Sequence, residues 1–341
     1  MKQLLLSGRI FLACLWTIFF SGGLTACKKG LGFDLPGKDP VAVFDEIWQT
    51  IDTRYALFGI KEIDWDSVYS LYRNRVTDKM SETELFKVAT DMLETLEDGH
   101  VALKTTTDTF TFQNFHTRYP DNFNQANLFT NYLKTGYFVS GPVTWKIVAG
   151  IGYIYYESFS RDVTDKQLDE IFEAMKETRG LIVDIRNNSG GNLSNVNLLA
   201  SHFFKERTLV KYEQRKKGSG HNNLDEPEAY YIPGIKNPYS KPVILLTNRS
   251  CFSACNDFVL YLSQLPNVRK YGDKTGGGGS IPLDFLLGNG WKLQYSSSIT
   301  LSPSKEPVEN GIDPDKVINI SPIEEENGYD PILENAFQAL Q

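Results

Sequence analysis

The sequence LIVDIRNNSGG, residues 181–191, decides the fold class of this chain. Its first five residues form an apolar, β-branched run around one acid, which is typical of a strand buried on both faces. A polar, glycine-rich turn follows, and residues 193–204 then have the apolar spacing of a helix. A strand that passes through a short turn directly into a helix indicates an α/β arrangement.

A second strand and helix follow in the same order further along the chain. The apolar run VILLT at residues 243–247 predicts another buried strand, and residues 254–265 predict a helix. Before the first strand, residues 151–158 predict a strand rich in Tyr and Ile, and residues 164–178 predict an amphipathic helix. We therefore expect an α/β core over residues 151–341, with helices packed on a mostly parallel sheet.

The part of the chain before this core has a helical pattern. The dipeptide DP at residues 39–40 is typical of a helix start. The sequence SETE at residues 81–84 is a capping box for a later helix, which we expect to end with Gly99 as its C′ residue. We interpret residues 39–105 as a small helical N-terminal domain and residues 106–150 as a connection of strands and loops.

The N-terminus has the features of a bacterial export signal. Lys2 and Arg9 supply a positively charged segment before an apolar run over residues 10–20. This run is shorter than the ~20 residues that a membrane-spanning helix needs. The sequence LTAC at residues 24–27 resembles the lipobox of bacterial lipoproteins. That resemblance implies cleavage before Cys27 and attachment of several acyl chains to this residue, which would anchor it stably.

This interpretation divides the first part of the chain into two segments. We expect residues 1–26 to be a lipoprotein signal peptide and residues 27–38 to be a flexible tether. The mature protein would then be anchored through Cys27 to a membrane of the bacterial cell envelope, on the periplasmic side or at the cell surface. An uncleaved anchor or an ordinary secretory signal is the alternative.

Composition excludes several classes of protein. The chain is 41% hydrophobic, 13% aromatic and 23% charged, which is typical of a folded domain. Its net charge of −7 argues against nucleic acid as a partner. Outside the N-terminal segment only Cys251 and Cys255 occur, too few for a disulfide framework or a cysteine-only metal cluster. The histidines lack metal-ligand spacing, so no cofactor is implied.

Two strand-to-helix turns have residues suited to catalysis. The backbone N–H groups of Gly190 and Gly191 can bind an anion, as an oxyanion hole must, although glycines in a turn also serve tight geometry alone. At the second turn, Ser253 or Ser250 begins a helix, where a serine is most often a cap. A serine here would also have its alkoxide favoured by the helix dipole, and the N–H of Ala254 would be a second oxyanion donor.

Two further segments supply a histidine and a carboxylate. His100 directly follows a predicted helix, and Glu309 lies in the sequence VENGIDPD at residues 308–315, which predicts a turn. Taken singly, this histidine is typical of a structural residue and this glutamate of a surface acid. Histidine titrates near neutral pH, so it is suited to act as a general base for a serine.

Together these segments resemble one family, the C-terminal-processing and tricorn-core serine peptidases. The pattern Asp-x-Arg-x-Asn-x-Gly-Gly at residues 184–191, Ser-Ala at residues 253–254, the glycine run from Thr275 and Gly-Ile-Asp-Pro-Asp at residues 311–315 follow the family's order. The resemblance covers about residues 41–320. It implies an α/β, crotonase-like core with a mostly parallel sheet and flanking helices, preceded by a small helical domain.

The resemblance also implies a serine-type endopeptidase that acts on peptides or unfolded proteins without a cofactor. One branch of the family uses a Ser-Lys dyad, but Gly278 stands where that lysine belongs. The tricorn branch uses a histidine and a distant glutamate, at positions that match His100 and Glu309. The resemblance therefore implies Ser253 as nucleophile, His100 as general base and Glu309 as the orienting acid, directly or through an intermediate group.

The sequence departs from the family pattern in three ways. Asn256 stands where the family usually has an acid three residues after the nucleophile, and Gly99 stands where the tricorn type has a serine. The interval between His100 and Ile151 is too short for the PDZ domain of processing peptidases, so we expect no intact PDZ domain. Tail-specific substrate recognition is therefore not implied.

Two alternatives to histidine-based catalysis are open from the sequence. The first is a non-catalytic lipoprotein that binds a peptide or another ligand on the same fold, since a fold alone does not fix a function. The second is catalysis through Lys274, which is offset from the family's lysine position. A hydrogen bond between His100 and Ser253, with Lys274 turned away, would favour the histidine. The oligomeric state is not predicted.

Overall fold

The computed structural model describes residues 39–341, so the expected signal peptide, tether and lipid-bearing Cys27 lie outside the described residues. The helices are α1 (Pro40–Arg54), α2 (Phe58–Lys61), α3 (Trp65–Arg73), α4 (Glu82–Glu94), α5 (Asn114–Thr117), α6 (Gln125–Asn127), α7 (Asp165–Met175), α8 (Leu193–Ser201), α9 (Ala254–Leu262), α10 (Pro322–Glu326) and α11 (Pro331–Ala339), and a π-helix spans Leu128–Leu133. In this part of the chain, no helix is both long and apolar enough to span a bilayer.

The strands form three sheets. They are β1 (Ala102–Lys104), β2 (Thr109–Thr111), β3 (Phe138–Ser140), β4 (Val143–Val148), β5 (Ile151–Tyr156), β6 (Leu181–Asp184), β7 (Thr208–Arg215), β8 (Glu228–Ile232), β9 (Val243–Thr247), β10 (Val268–Gly272), β11 (Pro282–Leu286), β12 (Lys292–Ser296), β13 (Ser298–Leu301) and β14 (Lys316–Val317). The sheet orders are β14-β10-β9-β6-β5-β4-β3, β11-β12-β1-β2 and β13-β7-β8.

The seven-stranded sheet is the mostly parallel sheet that the sequence predicted. Strands β14, β10, β9, β6 and β5 pair in parallel, and only β4 and β3 at one edge are antiparallel. Apolar side chains alternate between its faces, so Ile154 and Val183 contact the core with α7, α8 and α9, whereas Tyr153 and Ile182 contact α11 and the π-helix. Helices on both faces confirm the predicted α/β class.

The N-terminal helices pack on the second sheet. Phe44 and Ile47 of α1 and Met92 of α4 share a buried cluster with Leu293 and Tyr295 of β12. This sheet joins β1 and β2 to β11 and β12, so it combines strands from both halves of the sequence. It therefore fixes the segment after α4 against the segment that follows the glycine run.

The predicted helix starts are confirmed in detail, but several predicted helix ends are wrong. The helices α7, α8 and α9 end at Met175, Ser201 and Leu262, each three residues before the predicted end. Asp39 caps α1 by accepting from the N–H of Val41, and the residues at 81–84 form the reciprocal capping box of α4. The helix α4 ends at Glu94, and the residue with a positive φ is Glu97, at +47°, not Gly99.

Gly99 is instead required by lack of space. A Cβ at this position would lie 2.7 Å from ring atoms of both Phe115 and Phe252. Its missing side chain thus admits two aromatic rings beside the following residue, His100.

The two turns that carry the candidate chemistry lie side by side. Because β6 and β9 are adjacent and parallel, their carboxyl ends meet at the same edge of the sheet. The N–H of Phe252 donates to the carbonyl of Asn188 at 3.3 Å, and the N–H of Asn187 donates to the side chain of Asn248 at 3.1 Å. These bonds hold the glycine-rich turn against the turn that contains Ser253.

A buried guanidinium secures the base of the first turn. Arg186 is fully buried, and it bonds both carboxylate oxygens of Asp184, at 2.9 and 2.7 Å, and one oxygen of Asp330 at 2.8 Å. Asp330 also caps α11 by accepting from two of its N–H groups, and Arg186 donates to the carbonyl of Asn122 at 3.3 Å. One side chain thus connects β6, the C-terminal helix and the segment before β3.

Replacing Arg186 by methionine should destabilise the protein strongly. The substitution leaves Asp184 and Asp330 buried without their cation, which costs on the order of 3–5 kcal/mol for a buried pair. Urea unfolding of the two proteins measures this difference. Arg75→Met is the matched control, because its pair with Asp91 is partly exposed and should contribute under about 1 kcal/mol. Equal losses in the two variants would contradict the structural role of Arg186.

Candidate active site

Ser253 lies on a strained turn between β9 and α9. Its φ of 57° and ψ of −126° are rare for a residue with a side chain and cost on the order of 1–3 kcal/mol. The bond from its N–H to the carbonyl of Gly277, at 2.9 Å, helps to hold it there. Its side chain makes no capping bond to α9, so Ser253 is not the ordinary helix cap that its position alone favours. A strained strand-to-helix turn is typical of a nucleophilic serine.

The structure brings His100 to this serine. The distance from His100 Nε2 to Ser253 Oγ is 3.0 Å, within hydrogen-bond reach. Two backbone bonds hold the histidine in place. Its backbone N–H donates to the Asp98 carboxylate at 2.8 Å, and its backbone carbonyl accepts from the Gln294 side chain at 2.9 Å. For Nε2 to accept the serine proton, the neutral ring must carry its hydrogen on Nδ1.

Burial favours the neutral form of this histidine. Desolvation lowers the pKa of His100 below its usual value of 6.5, while the negative charges of Asp98 and Asp257 act in the opposite direction. The ring is therefore mostly neutral at pH 7. A neutral imidazole beside a serine hydroxyl is the form that can take its proton.

Two backbone N–H groups next to Ser253 are available to an oxyanion. The N–H of Gly190 donates to the side chain of Asn188 at 3.0 Å, so it is occupied. Within residues 39–341, the N–H groups of Gly191 and Ala254 have no acceptor. A Cβ on Gly190, whose φ is +97°, would lie 2.9 Å from the nitrogen of Ala254. Gly190 thus allows the two turns to meet, and Gly191 and Ala254 supply the free donors.

Glu309 is not in direct contact with His100. One oxygen of Glu309 accepts from the N–H of Gly279 at 2.9 Å, and the other lies 3.7 Å from the ammonium of Lys61. Nδ1 of His100 is buried and has no hydrogen-bond partner among the described residues. Of the three candidate side chains, the structure therefore joins Ser253 and His100, and any link to Glu309 requires an intermediate group.

Two buried polar residues near this site, Asp98 and Tyr55, were not predicted as site residues. Asp98 is buried, and both of its carboxylate oxygens accept hydrogen bonds. One accepts from the backbone N–H of His100, and the other accepts from the hydroxyl of Ser296 at 2.6 Å. The hydroxyl of Tyr55 is also buried, and no described residue bonds it. Burial raises the pKa of Tyr55, and the charges of Asp98 and Glu309 raise it further. In the sequence, these two residues are indicated only by the position of Asp98 two residues before His100.

The ring of Phe252 excludes the lysine of the other catalytic type. Gly278 occupies the position of that lysine, and a Cβ there would lie 2.3 Å from the Phe252 ring, at a φ of +73°. The same ring packs on His100, with 4.7 Å between the ring centroids. The ammonium of Lys274 lies 3.4 Å from Asp313. Lys274 lines a cavity together with Glu309, whereas Ser253 lines a different cavity.

Asn256 has a structural role in place of the family's acid. Its amide nitrogen donates to the carbonyl of Val308 at 3.2 Å, and its oxygen accepts from the hydroxyl of Thr275 at 2.6 Å. A carboxylate could not make the first of these bonds, because it has no donor. The asparagine therefore links α9 to the turn before Glu309.

Burial also changes the titration of Glu309. Desolvation raises the pKa of Glu309 from 4.5 to about 8, and the charge of Asp98 adds to this, while Lys61 and the N–H of Gly279 oppose it. A folded-state pKa above the unfolded value means that stability is full below pH ~4.5 and falls as pH rises toward 8. The protonated acid is thus the stable form at neutral pH.

Replacing Glu309 by glutamine should remove this pH dependence. The amide oxygen of glutamine can still accept from Gly279, but it cannot ionise. Between pH 5 and pH 8 the wild type should lose stability as Glu309 ionises, and Glu309→Gln should not. The difference in the free energy of unfolding, variant minus wild type, should therefore rise over this range by on the order of a few kcal/mol. Urea unfolding at several pH values measures it, with the exposed Glu306→Gln as control. Parallel curves for Glu309→Gln and wild type would show that Glu309 is ionised in the folded protein.

No metal site is evident in the part of the chain that the structure describes. No three His, Cys, Asp or Glu side chains converge there in a way that could hold an ion. The two cysteines beside Ser253 are buried, and Cys251 donates to the carbonyl of Ile185 at 3.1 Å. Both therefore pack as small core residues.

A serine hydroxyl, a neutral imidazole and two free N–H groups on a strained turn form the kind of site found in serine hydrolases. Residues 150–318 match peptidase family S41, and residues 36–94 match the tricorn protease C1 domain. The chain belongs to peptidase family S41, which confirms the resemblance inferred from the motifs.

Individual relatives agree with this assignment. A putative peptidase from Parabacteroides merdae, known from a crystal structure, is 39% identical in sequence to this chain. The two structures match with a TM-score of 0.85 over 89% of this chain and 96% of that one. Mature CPAF has the same fold, with 13% identity and a TM-score of 0.66 over 89% of this chain and 96% of its own.

Sequence relatives match over a shorter region. A probable CtpA-like serine protease of Staphylococcus aureus is 26% identical over 180 residues, which is 52% of this chain and 35% of that protein. The chain thus spans about a third of the length of the curated relatives that it matches.

Proposed function

We propose that this chain is a serine-type endopeptidase with Ser253 as nucleophile and His100 as general base. The observation that carries the proposal is the 3.0 Å contact between His100 Nε2 and Ser253 Oγ. Serine hydroxyls are weak nucleophiles unless a base removes their proton. The missing capping bond of Ser253 and its strained backbone support the same role.

The geometry supports a two-step acyl transfer. His100 takes the hydroxyl proton as Ser253 Oγ attacks the peptide carbonyl, and the N–H groups of Gly191 and Ala254 stabilise the oxyanion. The C–N bond then breaks as the imidazolium protonates the leaving amine, and an acyl-enzyme remains. Water deprotonated by His100 attacks this ester and releases the carboxylate product and the free serine.

We assign Glu309 an indirect role in this reaction. Its raised pKa makes it mostly neutral at pH 7, so it would act as a hydrogen-bond donor more than as a counter-charge. Nδ1 of His100 lacks a partner among the residues described, and an intermediate group between it and Glu309 would fix the tautomer. Glu309 would then orient the histidine at a distance.

The substrates proposed are peptides or unfolded polypeptides. The curated relatives are named a CtpA-like serine protease and a carboxy-terminal processing protease, which is consistent with polypeptide substrates for this chain.

Labelling with a fluorophosphonate probe tests the proposal. The purified residues 28–341 should react at one serine, and Ser253→Ala should abolish labelling. His100→Ala should lower the labelling rate by roughly 100-fold or more, because general-base catalysis contributes ~10²–10⁴-fold. Lys274→Ala should label like the wild type, since its ammonium is paired with Asp313.

The pH dependence of labelling separates the two possible bases. A histidine with a lowered pKa predicts a rate that is already on its plateau at pH 7, whereas a lysine base predicts a rate that still rises above it. Retained labelling in His100→Ala would move the base elsewhere. A wild-type chain that is not labelled would favour the non-catalytic binding protein on this fold.

We also propose that Cys27 is acylated and anchors the protein in the bacterial cell envelope. The support is the lipobox-like sequence at residues 24–27 behind a short apolar run. In a bacterial host, the full chain should incorporate radiolabelled palmitate and sediment with membranes, and Cys27→Ser should do neither. Cys14→Ser, in the apolar run itself, is the matched control and should be labelled normally. Palmitate on Cys27→Ser would refute the proposed site.

A further inference from the structure

The cavity beside the proposed nucleophile leads onto the free edge of a sheet. This cavity has a volume of about 290 Å³, and it is lined by Ser253 and by the segment at residues 278–282. The segment continues directly into β11, which begins at Pro282. Within residues 39–341, β11 pairs only with β12, so its other edge is free. Because Pro282 belongs to both the cavity wall and the strand, a polypeptide that enters the cavity meets the start of this edge.

Alternate residues of β11 direct their backbone groups away from β12. Just outside the strand, the carbonyl of Ile281 accepts from the N–H of Ser297 at 3.0 Å, and the N–H of Leu287 donates to the carbonyl of Trp291 at 2.9 Å. Bonded and non-bonded residues alternate along an antiparallel strand. The residues of β11 that bond β12 are therefore those at odd positions, and the N–H and carbonyl of Asp284 point to the free edge.

Apolar side chains and a second cavity lie along this edge. Leu283 is 49% exposed and Leu286 is 71% exposed. The second cavity has a volume of about 450 Å³ and is lined by Leu283 and by Tyr295, its partner across the pair of β11 and β12. The edge thus passes one cavity at Ser253 and another at Leu283. In strand addition, pockets of this kind accept alternate side chains of the added strand.

The composition of β11 argues against pairing of this edge with a second copy of the chain. The strand has only five residues, it begins with Pro282, and its central residue is the charged Asp284. A short length, a proline and a charged side chain are the features by which proteins keep edge strands from pairing with one another. An edge with these features that is continuous with the cavity at Ser253 favours the substrate as its occupant.

We infer that the free edge of β11 extends the substrate site, and that a polypeptide whose bond is attacked by Ser253 adds to this edge as a further strand. The inference rests on the proposed peptidase function and assigns the substrate class. Main-chain bonds to Asp284 would bind an extended segment of any sequence, and the cavity at Leu283 would receive one of its side chains. A folded segment has its own backbone groups already paired, so the edge selects unfolded polypeptides.

N-methylation of a substrate peptide tests this inference with the wild-type enzyme. A cleavage site in β-casein, an unfolded protein, is located by mass spectrometry, and the peptide that spans it is made with one N-methyl group at each position in turn. Strand addition predicts that kcat/KM falls roughly three- to tenfold at alternate residues of the part bound to β11, because each of these methyl groups removes one hydrogen bond. A profile without this alternation would overturn the inference.

A variant of the enzyme tests the same bond from the other side. Asp284→Pro removes an N–H that points to the free edge and keeps the bonds of the neighbouring residues to β12. It should raise KM for the casein peptide by roughly three- to tenfold with little change in kcat, because the lost bond contributes to binding of the ground state and the transition state alike. Asp284→Ala keeps the N–H and should raise KM much less. Urea unfolding verifies that both variants are folded, and equal KM values in the two would contradict a bond to this N–H.

Fluorophosphonate labelling of Ser253 separates the two levels of the proposal. A labelled enzyme that leaves β-casein intact, or that cleaves the N-methylated peptides without alternation, would overturn strand addition and leave the serine nucleophile standing. A wild-type chain that is neither labelled nor active on casein would overturn both. A wild-type dimer that Asp284→Pro converts to a monomer would show that a second copy occupies the edge, which also overturns the inference.

Discussion

The buried guanidinium of Arg186 is the interaction on which the rest of the site depends. It neutralises Asp184 at the end of β6 and Asp330 at the start of α11, so neither carboxylate is buried alone. Because the glycine-rich turn begins at the next residue, the position of Gly190 and Gly191 is set by this pair of bonds. The bond from Tyr153 to Asp184, at 2.8 Å, brings β5 into the same network. Because removing one member would leave a buried charge uncompensated, the three charged side chains constrain one another's positions.

The second constraint is the ring of Phe252, which accounts for two departures from the family pattern at once. The ring fills the space that a Cβ would need at Gly99 and at Gly278, so neither the serine of the tricorn type nor the lysine of the dyad type fits without displacing it. It also stacks on Phe115 at 4.2 Å and packs on His100. One aromatic residue beside the proposed nucleophile therefore both covers the histidine and fills the space that a side chain at residue 278 would need.

The sequence predicted those parts of the molecule where local pattern and tertiary structure agree. The parallel strands β6 and β9, their turns and the caps of α1 and α4 each have a signal within a few residues. Strand β12 pairs with β1, strand β13 pairs with β7, and Lys211 forms an ion pair with Asp257. These contacts join segments far apart in the chain, which no local pattern encodes. The placement of Glu309 against Gly279 and Lys61 was missed for the same reason.

The charges around His100 satisfy two opposite requirements of the general base that we propose it to be. The ring must be neutral before proton transfer, and burial ensures this by lowering its pKa. The imidazolium must then be stabilised, and the carboxylates of Asp98 and Asp257 both favour the charged form. A third nearby negative charge on Glu309 would raise the pKa of the histidine further, but burial keeps that acid largely protonated at neutral pH. The neutral state of Glu309 thus preserves a histidine that can both accept and return a proton.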